Sequence, residues 1–315
     1  MTSLNHLRKA LLISVVAIPF LVASACGAKS APEPTSEATP DPISASVTAD
    51  PAFYKISDED TTIYVLGTIH VLPDDYDWFD GELREAFNRS GELVMEMVAP
   101  DPATMGGIVQ KLAIDPNGKK LSSYFDAETK SKYDAQLAAM NIPANALEIF
   151  EPWMASVTLT AMQMETMGLT SELGVEAILT KAAQTSGKKI SGLETAVQQL
   201  GFFDNLSKEA QLALLEASLD DLDENEKLMN DMVKGWSKGD IGGLAELMNE
   251  SMEENPELIT ALLTDRNERW AEWVKTRMDS PGTVFMAVGA GHIAGEGSLF
   301  DVLDDDGIDA VRLKH

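Results

Sequence analysis

Thr61-Thr62-Ile63-Tyr64-Val65-Leu66-Gly67-Thr68-Ile69-His70 is a run of β-branched and aromatic residues that stops at a glycine and carries a histidine three positions later. Such side chains suit a pleated, buried surface, and a glycine directly after them marks the end of a strand. The pattern returns near the other end of the chain as Thr283-Val284-Phe285-Met286-Ala287-Val288-Gly289-Ala290-Gly291-His292. Further strands are expected at 92–98, at 189–191 before Gly192, and at 309–313. Between them the apolar spacing turns helical. Met154, Val157, Ala161 and Met164 share one face of a helix over 151–167. Other helices are expected at 81–88, 172–184, from Ser207 onward, at 224–236, 241–252 and 256–278, the last with a break near Thr264. Strands at both ends with helices between predict an α/β fold: a single mixed domain, a central β-sheet in which the terminal strands meet, and a large helical insertion in the middle of the chain.

Charge narrows the function classes. Among 315 residues there are 51 Asp and Glu against 24 Lys and Arg, a formal net charge of -27. A surface this acidic repels phosphate backbones, so no nucleic-acid partner is expected. Hydrophobic residues make up 44%, enough for a sizeable core. No repeat of solenoid length is visible. Most of the 15 methionines fall in the helical middle, where they read as core packing.

The first 25 residues have the three parts of a signal peptide: Arg8 and Lys9, an apolar run from Leu11 to Val22, and the small-residue site Ala23-Ser24-Ala25. The only cysteine, Cys26, follows at once, which excludes an intramolecular disulfide. Its position resembles that of the lipidated cysteine of bacterial lipoproteins, although Ala23 stands where leucine is usual. Gly27 after it fits sorting to the outer membrane, facing the periplasm. Soluble periplasmic export is the alternative. Residues 26–52, rich in Pro, Ser, Thr and Ala, read as a flexible tether, which leaves 53–315 as the folded domain. The lipid anchor would be the chain's one link to a membrane.

Of four histidines, His6 lies in the signal and His315 is the last residue; both others sit in a Gly-x-x-His corner after an apolar strand. With glycine at about 7% of residues, two accidental matches have a chance of about 0.5%. A glycine lets the chain turn and lets backbone approach a bound group, and the histidine then projects from a strand's carboxyl end, where open α/β sheets place ligands. Two imidazoles can share a divalent ion if a carboxylate joins them. Glu96 is the candidate, because it interrupts the apolar run Leu93-Val94-Met95-Glu96-Met97-Val98. A lone carboxylate there is costly to bury unless paired or metal-bound, the alternative being an edge strand with Glu96 in water.

These residues resemble the TraB/GumN family, including its bacterial lipoproteins, and more distantly the Tiki metalloproteases and the erythromycin-esterase-like clan. The resemblance is carried by Leu66-Gly67-Thr68-Ile69-His70, Met95-Glu96, Glu151-Pro152-Trp153, Leu173-Gly174-Val175-Glu176, Ser191-Gly192-Leu193-Glu194-Thr195 with Gln198, Asp265-Arg266-Asn267 and Val288-Gly289-Ala290-Gly291-His292. It implies a metal-dependent hydrolase acting on a peptide or other amide or ester bond, with His70, Glu96 and His292 holding zinc, manganese, cobalt or iron. Arg266 and Asn267 look like the family's polar pair, with Arg266 facing a developing negative charge or a substrate carboxylate, or else forming a structural salt bridge. Glu96 or Glu194 takes the proton from the metal-bound water, and Glu194 is otherwise a fourth ligand or a helix cap. Glu176 reads as a helix-face residue and Trp153 as a packing anchor.

Three other readings stand beside this one. Residues 289–294 fit a dinucleotide fingerprint, but the acidic residue expected about 20 positions on is missing, so no nicotinamide or flavin cofactor is expected. A metal-free hydrolase would use His70 or His292 as base, oriented by Glu96. A non-catalytic protein would bind a peptide or lipid in the helical groove.

Overall fold

The computed structural model describes residues 47–219, 222–252 and 255–314. Its strands are β1 (Val47–Thr48), β2 (Phe53–Ser57), β3 (Thr61–Thr68), β4 (Tyr76–Asp77), β5 (Glu92–Met97), β6 (Lys189–Glu194), β7 (Gly282–Gly289) and β8 (Val311–Arg312). The helices before β6 are α1 (Gly81–Arg89), α2 (Pro102–Leu112), α3 (Ala127–Ala139), α4 (Pro152–Thr166) and α5 (Val175–Ser186). After it come α6 (Ala196–Asp204), α7 (Lys208–Ser218), α8 (Leu222–Ser237), α9 (Ile241–Met252), α10 (Pro256–Ile259), α11 (Asp265–Met278) and α12 (Leu299–Asp305). Among the described residues no helix is long and apolar enough to cross a membrane.

Successive side chains of a strand point to opposite faces, and β3 uses both. Ile63 and Val65 join Val284, Met286, Trp270 and Leu299 on one side of the sheet. Tyr64 and Leu66 join Phe53, Phe285, Leu179 and Trp236 on the other. Helices α11 and α12 cover the first face, and α1, α5 and α8 cover the second. Double coverage explains why the strands read as continuous apolar runs rather than as alternating ones. The helical middle builds two further cores, one around Trp153 and Phe203 and one around Tyr133 and Leu159. Trp153 is a packing anchor: it is fully buried and stacks on Phe203 at 5.9 Å between ring centroids.

The sheet order is β6-β5-β7-β3-β2-β8. The first four strands run parallel, whereas β2 pairs antiparallel with both β3 and β8. The terminal strands meet in one sheet, as expected. Strands β3 and β7 are direct neighbours in the register Gly67↔Val288 and Thr68↔Gly289, which sets the two Gly-x-x-His corners side by side. Strand β5 lies between β6 and β7, so the edge-strand alternative for Glu96 does not hold.

Other expectations shift by local chemistry. The strand expected at 189–191 runs on to Glu194, because Gly192 keeps its pairing with Met95. Glu194 therefore ends a strand, and Thr195 caps the following helix in a capping box with Gln198. Strand β2 was not foreseen; it is short, and Lys55 interrupts its apolar pattern. The helix expected at 172–184 begins only at Val175, after a short 3-10 turn and Gly174. The break near Thr264 is a π-helical turn over Thr260–Thr264. Residues 47–52, read as the end of the tether, are structured: β1 pairs with β4, and Ala49 and Ala52 are buried. The signal peptide and Cys26 lie outside the described residues.

Gly174 marks where α5 docks on the first corner. The Val175 amide donates to the Ile69 carbonyl at 3.1 Å, and a side chain at Gly174 would overlap the backbone carbonyl of His70. Gly174→Ala is expected to destabilise the protein by about 1–3 kcal/mol, the cost of overpacking against backbone that has no rotamer to move. Gly107→Ala is the control: it sits in α2 with nothing near, and should be neutral or stabilising by about 0.5–1 kcal/mol. Urea denaturation of both variants checks this; equal stabilities would refute the clash.

Candidate functional site

Four adjacent parallel strands deliver one acidic or imidazole side chain each to their carboxyl ends. His70 follows β3, Glu96 lies near the end of β5, Glu194 closes β6, and His292 lies in the turn after β7. Helix α11 brings Arg266 and Asn267 to the same end. All six residues expected from the sequence are buried there.

Both corner glycines clear space for the opposite part of the site. A Cβ on Gly67 would meet Ile293 Cδ1 at 2.8 Å and crowd Ala290, both belonging to the second corner. A Cβ on Gly289 would stand 3.0 Å from Glu96 Oε1, and the Gly289 amide donates to that oxygen at 2.7 Å. The indole of Trp236 fixes the end of β3 by donating to the Gly67 carbonyl at 2.8 Å.

Arg266 is the hub. Its Nε donates to Glu194 Oε1 at 2.8 Å, and Nη2 donates to Glu194 Oε2 at 2.9 Å and to Glu96 Oε2 at 2.5 Å. Nη1 donates to the Leu262 carbonyl at 3.1 Å and to His292 Nε2 at 2.9 Å. The five N–H groups of the guanidinium are thus all spent on protein acceptors. Asn267, next in sequence, holds the other side of the same imidazole: His292 Nδ1–H donates to Asn267 Oδ1 at 2.7 Å. The Asn267 amide nitrogen donates to the Gly297 carbonyl at 2.8 Å, which fixes its orientation. Trp270 Nε1 adds a bond to Glu194 Oε1 at 3.2 Å.

Burial disfavours ionised Glu96, but Arg266, the two histidines and the Gly289 amide outweigh it and pull its pKa down to about 2. Burial, reinforced by Arg266, lowers that of His292 to about 3, so this imidazole is neutral. Burial also acts against charge on His70, yet Glu176 and Glu96 together hold its pKa above the ordinary value. Burial pushes Glu194 up in spite of its bonds from Arg266.

His70 and Glu96 face a cavity of about 390 Å³, with Glu176, Gln199, Thr180 and an apolar wall of Met95, Met97, Val98, Pro100 and Ile190. Arg266, Asn267, Glu194 and His292 stand behind it and do not line it. Arg266 makes buried salt bridges with Glu96 and Glu194, the structural alternative read for it, and does not line the cavity. Two residues to which sequence reading assigned no site role do face the cavity. Glu176, read as a helix-face residue, places Oε1 2.7 Å from His70 Nδ1, off the line of a full hydrogen bond, and also accepts from the Thr68 hydroxyl. Gln199 donates to Glu96 Oε2 at 3.2 Å.

The donor set expected for a divalent ion does not fit one in this arrangement. The Nε2 lone pair of His292 is taken by Arg266, and so is Glu96 Oε2. Among the described residues no three His, Cys, Asp or Glu side chains are grouped to hold a metal.

Comparison with known proteins shows the family. The model of the TraB/PrgY/gumN family matches residues 52–312. The uncharacterized protein YbaP of Escherichia coli strain K12 is 30% identical over 151 residues, 48% of this chain and 55% of its own length, and YbaP of Shigella flexneri aligns equally. The chain thus spans about half the length of these curated relatives. An uncharacterized protein of Treponema pallidum strain Nichols is 22% identical over 266 residues, 80% of this chain and 79% of its own length. No solved structure matches.

The buried charges predict how stability responds to acid. As pH falls below 6.5 the unfolded chain protonates His292 while the folded chain does so only near 3, so stability is lost across that window. The contribution of Glu96 is present above its ordinary 4.5 and is lost as pH falls toward about 2. His70, with its pKa raised, contributes fully below 6.5 and is constant there. Between pH 6.5 and 5, His292 alone should cost about 2 kcal/mol at one proton per 1.4 kcal/mol per unit. Urea denaturation at the two pH values measures this. His292→Gln should flatten the slope, and an unchanged slope would show that His292 is not held neutral.

Proposed function

The chain belongs to the TraB/PrgY/gumN family, and from that premise we propose that it hydrolyses an amide or ester bond in the cavity faced by His70 and Glu96. The observation that carries the reading is a buried imidazole in the wall of an apolar-lined cavity, in contact with Glu176 and under the charge of Glu96. A histidine with its pKa held up by carboxylates is suited to take a proton near neutral pH.

In this mechanism Glu176 orients His70 through Nδ1 and leaves Nε2 for the cavity. Nε2 takes a proton from water as the water oxygen bonds to the substrate carbonyl carbon. The same proton then passes to the leaving nitrogen or oxygen as its bond to carbon breaks. Gln199, whose amide has a second N–H beyond the one given to Glu96, is placed to donate to the substrate. The apolar wall fits a substrate with a hydrophobic side chain beside the cleaved bond. No step runs through a divalent ion, because two of the three donors expected to hold one, Glu96 and His292, are engaged with Arg266.

The same proposal places the protein on the cell envelope, held by an acylated Cys26. Its support is the signal-like run of residues 1–25 with the cysteine directly behind it. Cys26→Ala should move the protein from the membrane fraction to the soluble fraction, and an unchanged distribution would remove the lipid anchor from the proposal.

A screen of peptide and ester libraries at fixed pH tests the activity. His70→Ala is expected to lower kcat/KM by about 10²–10⁴-fold, the usual contribution of a general base. In the wild type kcat/KM should rise with pH through a pKa above 6.5. Glu176→Gln should move that pKa down, since the lost carboxylate favoured the protonated ring. A hydrolase whose rate is untouched in His70→Ala would contradict the mechanism. A ligand that binds equally to wild type and His70→Ala, with no turnover, would point to the binding role instead.

A further inference from the structure

We infer that Arg266 is the resident cation of this centre, its guanidinium filling the place among Glu96, Glu194 and His292 that a divalent ion would otherwise take. The chain then holds no metal there until Arg266 is removed.

Three independent features carry the inference. The first is saturation: each N–H of the guanidinium has its own acceptor, and four of the five belong to Glu96, Glu194 and His292, which a metal in this place would need. An ion on His292 Nε2 would have to displace Arg266 Nη1 from 2.9 Å, and would meet a fixed positive charge at once.

The second is confinement. Arg266 is 3% exposed, and its Cζ lies 4.7 Å from the Trp270 ring centroid and 5.4 Å from that of Phe202. Rings on two sides favour a cation in this place and leave it little room to swing away. The Leu262 carbonyl, within the π-helical turn, holds Nη1 from the helix side.

The third is the tautomer of His292. Asn267 Oδ1 requires the proton on Nδ1, which aims the Nε2 lone pair at Arg266. Consecutive residues of α11 thereby prepare the imidazole to accept from a guanidinium. A metal-ligating histidine is prepared in the same manner by a partner on its far nitrogen. The centre thus keeps the second shell of a metal site and supplies the cation from its own chain.

Removal of the guanidinium leaves Glu96 without its arginine and Glu194 with only the half-exposed Arg269 at 3.9 Å, beside a free imidazole nitrogen, and buried carboxylates so placed demand either protons or another cation. The test uses full-length protein purified without affinity metals, incubated with zinc or with manganese, desalted and measured by elemental analysis and thermal melting. Wild type and Arg266→Lys, which keeps a positive charge, should retain no ion and show no shift in Tm. Arg266→Ala should retain one equivalent and melt higher with the ion than without it. One equivalent on the wild type that is lost in His292→Ala would overturn the inference, as would folded Arg266→Ala that takes up neither ion. If Arg266→Ala folds only when metal is supplied, the inference is supported; if it folds under no condition, the wild-type and Arg266→Lys measurements decide. Hydrolysis is not read in this experiment, so its outcome is separable from that of the activity screen.

Discussion

Two carboxylates, Glu96 and Glu194, are taken out of water at the ends of neighbouring strands, and a buried carboxylate without a counter-charge costs several kcal/mol. One guanidinium answers both. Helix α11, the π-helical turn that precedes it and the tautomer that Asn267 imposes on His292 all converge on that guanidinium. The requirement also orders the packing. Trp270, one turn further along α11, lies 4.3 Å from the His292 ring and donates to Glu194, so one helix face supplies cation, amide and aromatic wall together.

The network divides the centre into a charged interior and a front that faces the cavity. Behind, Arg266, Asn267, Glu194 and His292 satisfy one another and need no outside partner. In front, His70, Glu96, Glu176 and Gln199 meet the cavity. Glu96 belongs to both: one oxygen is held by the Gly289 amide, and the other is shared by Arg266 and Gln199. Through it the interior fixes the electrostatic setting in which His70 titrates, without touching what enters the cavity.

The parallel strands and three of the centre's residues, His70, Glu96 and His292, were legible because their signals are local, whereas Glu194, Arg266 and Asn267 came from the resemblance alone. Apolar runs ending in glycine mark strands, and a glutamate inside such a run demands a partner. Who that partner is was not legible. The sequence placed Arg266 on a late helix, but its direction depends on a π-helical turn that apolar periodicity registers only as a break near Thr264. Glu176 and Gln199 carry no local mark, since a glutamate in a first helical turn is ordinary and a glutamine follows many capping boxes. Their roles come from tertiary approach alone. Gly174, with an ordinary negative φ, offers no conformational hint that its missing side chain is what lets α5 reach His70.

The pairing of β3 with β7 has a consequence for how the centre comes into being. These neighbours are encoded near opposite ends of the domain, and β7 must insert between β3 and β5 before either finds its final companion. Contacts so distant along the chain form slowly, because the intervening loop must be closed before they bring any reward. A nascent chain emerging amino end first therefore has His70 and Glu96 long before it has Arg266, His292 or the strand that joins them. Until that last segment arrives, the sheet is split and its acidic residues can stay in water. The centre is thus assembled only by the whole domain, since a polypeptide cut short before β7 lacks His292 and the strand that joins the two halves of the sheet.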